Sequence, residues 1–315
     1  MDLKQLEYFV HVAELGSFTR ASIALDISQP GLSRQVRLLE VEFGQTLLLR
    51  NGRGVTTSDA GKLLLEYGRG ILHQVERLRE ELGRARGALV GQVALGLPPS
   101  LLKSLAAPIF REFKAKLPAA SLSIREGLTV SMHESLVSGR LDVALLYNAA
   151  PSPDVDLQPL LDEELFLVSR IHGASHSASL PEAVAMGDLP AFPLIVPSRP
   201  NAIRMLIESE LARLGLRPTI AFEVDGVGAI LDLVAEGFGH AILSRHAVTN
   251  LGSGHRLQVR PIGAPGLSAK LSLAVNSHRQ ITATQRALIE LLQLVVADQF
   301  MATGPSNTST KASVA

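Results

Sequence analysis

The chain has no cysteine, which excludes disulfides, thiolate nucleophiles and cysteine-ligated zinc. It has no net charge either: 30 lysines and arginines balance 30 aspartates and glutamates. No global field therefore announces a nucleic-acid partner, and any such binding must come from a local patch. A run of about 18 apolar residues that could span a membrane is also missing. The opening stretch, MDLKQLEYFVHVAELGSF, alternates charged and apolar residues where a signal peptide would carry an apolar core. The expectation is a cytoplasmic protein with no membrane partner. What remains is ordinary globular material: 315 residues, 46% hydrophobic and 19% charged, enough for one small and one larger domain or for three small ones.

Residues 3 to 60 read as short helices separated by turn signals. Leu3, Leu6, Val10 and Ala13 mark an amphipathic helix that stops at Gly16. Ser17 or Thr19 can cap the next, TRASIALD, and Ser28 can cap a third. Two short helices joined by so brief a turn are the helix-turn-helix pattern. On the third helix Leu32, Val36 and Leu39 form an apolar face, and Ser28, Gln29, Pro30, Ser33, Arg34 and Arg37 lie on or near the opposite one. A recognition helix presents its first residues to base edges, where Gln pairs with adenine and Arg with guanine. Pro30 falls in the first turn, where its missing N–H costs little. Gly31 is the odd residue: glycine costs a helix about 1 kcal/mol relative to alanine, so Gly31→Ala is expected to stabilise the helix. The run LLLRNGRGVTT then gives two β-prone segments around paired glycines, a hairpin that would form a wing with Arg50 and Arg53 near its tip. Charge supports this weakly. Residues 1–60 carry six basic and seven acidic side chains, and residues 18–54 carry five and three.

From Ser58 to about Arg86 the period lengthens into one helix. Leu64, Gly68, Ile71, Val75, Leu78 and Leu82 alternate steps of four and three, the seam of two packed helices. Dimerisation is the favoured reading, over a helix lying on its own domain. Beyond GALVGQ the texture becomes α/β. QVALGL, SLSIRE, LDVALLY, ELFLVS, PLIVPS, TIAFEVD, HAILS and LSLAVN are short apolar strands, with helical stretches at 101–116, 201–214 and 226–236 between them. This alternation predicts largely parallel sheets with helices on both faces. The closing GPSNTSTKASVA is polar and is expected to be disordered.

Ligands of open α/β sheets bind outside the carboxyl ends of strands, often at helix N-termini. Four junctions carry capping residues: Pro99 and Ser100 in LPPSLL, Thr129 and Ser131 in GLTVSM, Ser198, Arg199 and Asn201 in VPSRPNAI, and Asp225 in EVDGVGA. Converging helix ends suit an oxyanion, and Arg199 or Arg204 would add a fork of donors. A small-molecule effector, an organic anion by this argument, is the expected occupant.

The stretch SFTRASIALDISQPGLSRQVRLLEVEFGQTLLLRNGRGVTTSDAG resembles the N-terminal domain of LysR-type transcriptional regulators nearly position for position, and the likeness extends over roughly residues 1–300. Gly31 stands where that family usually has alanine, and Thr57 where leucine is common. LDEELFLVS and SRPNAIRM are similar to its nitrogen-assimilation-control branch. The resemblance implies an N-terminal winged helix-turn-helix over 1–60 and a dimerising linker helix over 61–88. It further implies a C-terminal α/β two-lobed, periplasmic-binding-protein-like effector domain over 89–300, ahead of the tail at 301–315. It places Gln29, Pro30, Ser33 and Arg34 in the major groove, and His240 near the effector cleft. Its partners would be double-stranded DNA carrying an interrupted palindrome, the effector, and further copies of itself as a homodimer and homotetramer.

Enzyme-like fragments are weaker. Ser100 and Lys103 fit an S-x-x-K spacing, but the S-D-N and K-T-G elements that accompany it are missing. His172 and His176 sit among glycine and serine with no third ligand, so a surface loop is expected and no metal. DGVGA and GFGHA lack the full dinucleotide fingerprint, and no cofactor is expected. The rival reading is a solute-binding protein or Ser-Lys hydrolase whose N-terminal helices only oligomerise.

Overall fold

The computed structural model describes residues 1–51, 54–83, 91–171, 183–251 and 257–301. Arg53, the His172 and His176 pair and the polar tail beyond 301 lie outside the described residues. The chain divides into two compact units, Met1–Gln92 with Val137–Arg140, and Val93–Leu136 with Leu141–Ala315.

The first unit opens with α1 (Leu3–Leu15), capped reciprocally by Asp2 and Gln5 and ended by Gly16 in the left-handed conformation. Ser17 caps α2 (Phe18–Ala24), and after a turn through Asp26 at φ 51° Ser28 caps α3 (Gln29–Phe43). Leu32, Val36 and Leu39 of α3 bury their side chains against Phe9, Val12, Phe18 and Ala21. The wing follows as strands β1 (Leu48–Asn51) and β2 (Gly54–Thr57), paired antiparallel. It is tied down at both ends. Glu40 of α3 accepts the backbone N–H groups of Leu47 and Leu48 at 2.8 and 3.1 Å, and Val55 N–H donates to the Gly16 carbonyl at 2.9 Å.

Helix α4 (Asp59–Gly83) begins so close to the wing that a Cβ on Gly61 would stand 2.0 Å from the Leu47 carbonyl oxygen. The six-residue seam seen in the sequence does not stay together as one outward stripe. A Cβ on Gly68 would meet Leu6 Cδ1 at 2.9 Å, and Leu64, Leu65 and Leu72 pack on the same helical core. Straight α-helices turn once in 3.6 residues, so the seam drifts around the helix. Its early positions serve the unit's own core, and the exposed apolar stripe is instead Leu63, Tyr67, Ile71 and Leu78.

The second unit is built on β3 (Gly91–Leu97), β4 (Ala120–Glu126), β5 (Val143–Tyr147), β6 (Val155–Arg170), β7 (Leu194–Val196), β8 (Ile220–Glu223), β9 (Ala241–Ser244), β10 (Leu257–Pro261) and β11 (Ser268–Asn276). The helices are α5 (Pro99–Lys116), α6 (Thr129–Ser138), α7 (Ala202–Arg213), α8 (Val227–Glu236), α9 (Arg245–Leu251) and α10 (Ala283–Met301). The strand order is β10-β6-β11-β5-β3-β4, with β9 on β6 and a separate β7-β8 pair. The sheets are more mixed than the sequence alternation predicts. β3 with β5 and β7 with β8 are parallel, but β11 pairs antiparallel with both β5 and β6, and β6 with both β9 and β10. The cause is the length of β6. Its 16 residues run through both lobes, pairing with β11 up to Glu164 and with β9 and β10 from Leu165 onward. The start of α10 is pinned to the first lobe by buried Asp142, which accepts from Ala94 N–H at 2.8 Å and from Gln285 Nε2 at 3.1 Å.

Candidate nucleic-acid interface and ligand cavity

The outer side of α3 is what the burial of its back leaves over. Ser28, Gln29, Pro30, Gly31, Arg34 and Arg37 are exposed, and Ser33 is half-buried. Ser28 Oγ accepts the Gly31 N–H at 3.3 Å, so the first turn is closed by its own cap. A Cβ on Gly31 would lie 2.9 Å from that same oxygen. Arg50 of the wing donates to Ser33 Oγ at 2.8 Å and lies 4.5 Å over the Phe18 ring. That contact sets the wing against the recognition helix, so Arg50 braces the unit as well as offering a cation.

In the second unit a cavity of about 350 Å³ opens where the carboxyl ends of β3, β4, β5, β7, β8 and β9 converge, the place such sheets reserve for ligands. Of the residues expected there, Pro99, Ser100, Thr129, Asn201 and Asp225 line it. Ser131, Ser198, Arg199 and His240 do not, and each is engaged elsewhere. Ser131 Oγ donates to the Leu128 carbonyl at 3.0 Å, and Ser198 N–H donates to Asp225 Oδ1 at 2.9 Å. Arg199 pairs with Glu208 at 2.6 Å, and the His240 ring contacts Ser169 Oγ at 2.8 Å and Phe192 edge-on.

The helix ends also differ from the capping pattern expected. Asn201 caps α7 by its side chain, accepting from Ile203 and Arg204 N–H at 3.0 and 3.2 Å. α5 starts at Pro99, whose fixed φ suits the first helical position, so Ser100 falls inside the turn. α8 is preceded by Gly226, with no side-chain cap. Arg204, a candidate donor for an anion, is 5% exposed and fully committed: to Glu208 at 3.0 Å, to Glu223 at 2.8 Å and to the Pro197 carbonyl at 2.9 Å. Among the described residues that line the cavity there is no lysine, arginine or histidine.

Instead the cavity holds a buried acid that sequence reasoning missed. Glu163 is 7% exposed and accepts the Tyr147 hydroxyl through Oε2. Its Oε1 is buried with no hydrogen-bond partner. The Ser244 hydroxyl lies near enough to favour the ionised form without completing a bond of normal geometry, and Ser244 Oγ accepts Ala247 N–H at 3.2 Å. Burial dominates, pushing the Glu163 carboxyl above the usual carboxylate range. Burial first, and then the Glu163 charge and hydrogen bond, raise the Tyr147 phenol well above its ordinary value, against a smaller opposing effect of Ser100. The signal was present in LDEELFLVS: period two puts Glu163 on one strand face with Leu165 and Leu167, both buried.

Two family descriptions match the chain in these two regions. Residues 3–62 match the bacterial regulatory helix-turn-helix protein, lysR family, and residues 86–296 match the LysR substrate binding domain. The chain belongs to the LysR family. Its relatives are transcriptional regulators, among them the nitrogen assimilation regulatory protein of Escherichia coli K12, 32% identical over 96% of this chain and 97% of that protein. The counterpart from Klebsiella aerogenes is 31% identical over 94% and 95%. Among solved structures, CbnR, a LysR family transcriptional regulator, superposes with a TM-score of 0.69 at 22% identity, covering 94% of this chain and 99% of its own. Full-length CbnR complexed with its target DNA gives 0.68 at 22%, covering 94% and 100%. This LysR-type regulator therefore has the winged helix-turn-helix and α/β effector-domain organisation of its family. Among the described residues no helix is long and apolar enough to cross a membrane.

Proposed function

We propose that this regulator reads DNA sequence with the outer face of α3 and switches in response to a small molecule held in the cavity of its second unit. Residues 1–60 bind DNA, 61–88 pair protomers, and 89–300 carry the effector site. Gln29, Pro30, Arg34 and Arg37 face base edges, Ser28 and Ser33 lie beside them, and Arg50 and Arg53 reach the backbone from the wing. The stripe of Leu63, Tyr67, Ile71 and Leu78 gives a second copy an apolar face to cover. Dimers so formed match two half-sites of an interrupted palindrome and associate further into tetramers. Effector binding shifts the equilibrium between two arrangements by its difference in affinity for them. The cavity binds and does not catalyse: Lys103 is exposed and absent from its lining, so the Ser100 hydroxyl has no lysine beside it there. The protein acts in the cytoplasm, where its DNA is.

The observation that carries this reading is the two-sidedness of α3. Leu32 and Leu39 are completely buried, and the polar residues opposite them are exposed from the first turn onward. The test is selection of bound duplexes from a random pool, followed by footprinting at moderate salt. Two protected half-sites about one helical turn apart, or a multiple of that, are expected. Retention that depends on salt but never on sequence would contradict the reading.

A further inference from the structure

The cavity's charge has a sign, and it is negative. Glu163 lines it, nine-tenths buried, with Oε1 lacking a hydrogen bond, and exposed Glu126 and Asp225 line it as well. The two arginines at the start of α7 are spent. Arg204 is held by Glu208, Glu223 and a carbonyl, and Arg199 by Glu208. The uncapped start of α8 offers backbone donors, but Asp225 directly precedes Gly226 and offsets that partial charge. The rest of the wall is apolar, with Leu128, Leu165, Ile195, Ile203 and Ile230. An anion brought here would face carboxylates, with no cation among the described lining residues to answer them. A buried acceptor whose bond is incomplete, as Glu163 Oε1 is beside the Ser244 hydroxyl, is by contrast costly until a ligand supplies a well-placed donor.

We propose that the effector is a small protonated amine whose ammonium group binds Glu163 and whose carbon skeleton lies on the isoleucine and leucine wall. An ammonium has three donors and no acceptor. One donor satisfies Oε1, and the charge is compensated in a site shielded from water, where such a bond is short and strong. Tyr147 keeps its bond to Oε2 and holds the carboxylate in place. The inference rests on the reading of this cavity as the effector site, and it specifies the class of ligand that site takes.

The test uses the full chain and three probes of equal length, hexylammonium, hexanol and hexanoate, at matched ionic strength in a thermal-shift titration. A ligand that binds only the folded state raises the melting temperature by mass action. Hexylammonium is expected to raise it most and hexanoate not at all. Glu163→Gln keeps the size of the side chain and is expected to weaken hexylammonium about 10- to 100-fold, the range for losing a charged hydrogen bond. Tyr147→Phe removes the donor that holds the carboxylate and favours its ionised form, and is expected to weaken hexylammonium too, by less than Glu163→Gln does. Stabilisation by hexanoate, equal stabilisation by hexanol and hexylammonium, or no stabilisation by any probe would overturn the proposal. Footprinting with and without hexylammonium separates the two readings. Amine binding that leaves the footprint unchanged supports the ligand class and removes the cavity from regulation.

Discussion

The recognition helix and the cavity are built in opposite ways. α3 hides Leu32, Val36 and Leu39 and turns Arg34 and Arg37 to water, and the cap and period that shape it lie between Ser28 and Phe43. The cavity turns apolar side chains inward and buries an acid among them, drawing its wall from residues between Pro98 and Ala247. A surface made by one helix is encoded locally, by period and caps. A surface made by six strand ends depends on which strands meet, and that is a property of the fold. Charge on the first surface costs little because water solvates it. The same charge on the second must be paired or left wanting a partner.

Breaking the hidden side of α3 should have the largest effect. Leu32 is 0% exposed, so Leu32→Ala is expected to cost about 3 kcal/mol in urea unfolding, from lost burial and the cavity left behind. A loss below about 1 kcal/mol would mean that the helix does not depend on its apolar back. The corresponding break in the second unit is Arg204→Met. It takes away the cation that Glu208 and Glu223 share, but Arg199 still holds Glu208 and Glu223 is half exposed, so the expected drop in urea midpoint is smaller than that of Leu32→Ala.

Glu163→Gln sharpens the comparison through pH. Burial raises the Glu163 pKa in the folded protein, so between the unfolded and folded values the native state holds the extra proton. Stability contributed by that proton is present below the unfolded pKa and falls as pH rises through the folded one. Tyr147 and Ser244 face the carboxyl and oppose the shift without cancelling it. The ligand-free variant, which cannot ionise there, should therefore gain melting temperature over the parent at pH 8 and little at pH 4. An equal gain at both values would show that ionisation of Glu163 is not what costs stability. The smallest effect is expected for Gly31→Ala. The helix gains about 1 kcal/mol of propensity, but the new methyl stands 2.9 Å from the Ser28 oxygen that caps the turn, and disturbing a cap costs about as much. Thermal unfolding should show a net change within about 0.5 kcal/mol. A full gain would mean that Ser28 rotates away without cost.

These residues also show what the sequence could and could not express. The caps at Ser17 and Ser28, the buried face of α3 and the wing follow from spacing and turn chemistry, and the structure places them as expected. The second unit's strands were legible one by one, but the mixed pairing was not, because the 16-residue reach of β6 through both lobes has no local signature. The helix starts at Pro99 and Gly226 departed from the expected serine and aspartate caps, since proline and glycine set the backbone there without a side-chain bond. Glu163 was hidden by its neighbours. Asp162 and Glu164 on either side are exposed, so the stretch reads as a polar edge until strand parity is applied.

The most direct test of α3 as the reader of sequence is the salt-dependent affinity of Arg34→Ala for a selected site and for a scrambled duplex. If Arg34 meets a base edge, the selected site should lose about 1–3 kcal/mol while the scrambled duplex changes little, and the discrimination between them should fall accordingly. Equal weakening of both duplexes, with a shallower salt slope, would assign Arg34 to the phosphate backbone and contradict the account.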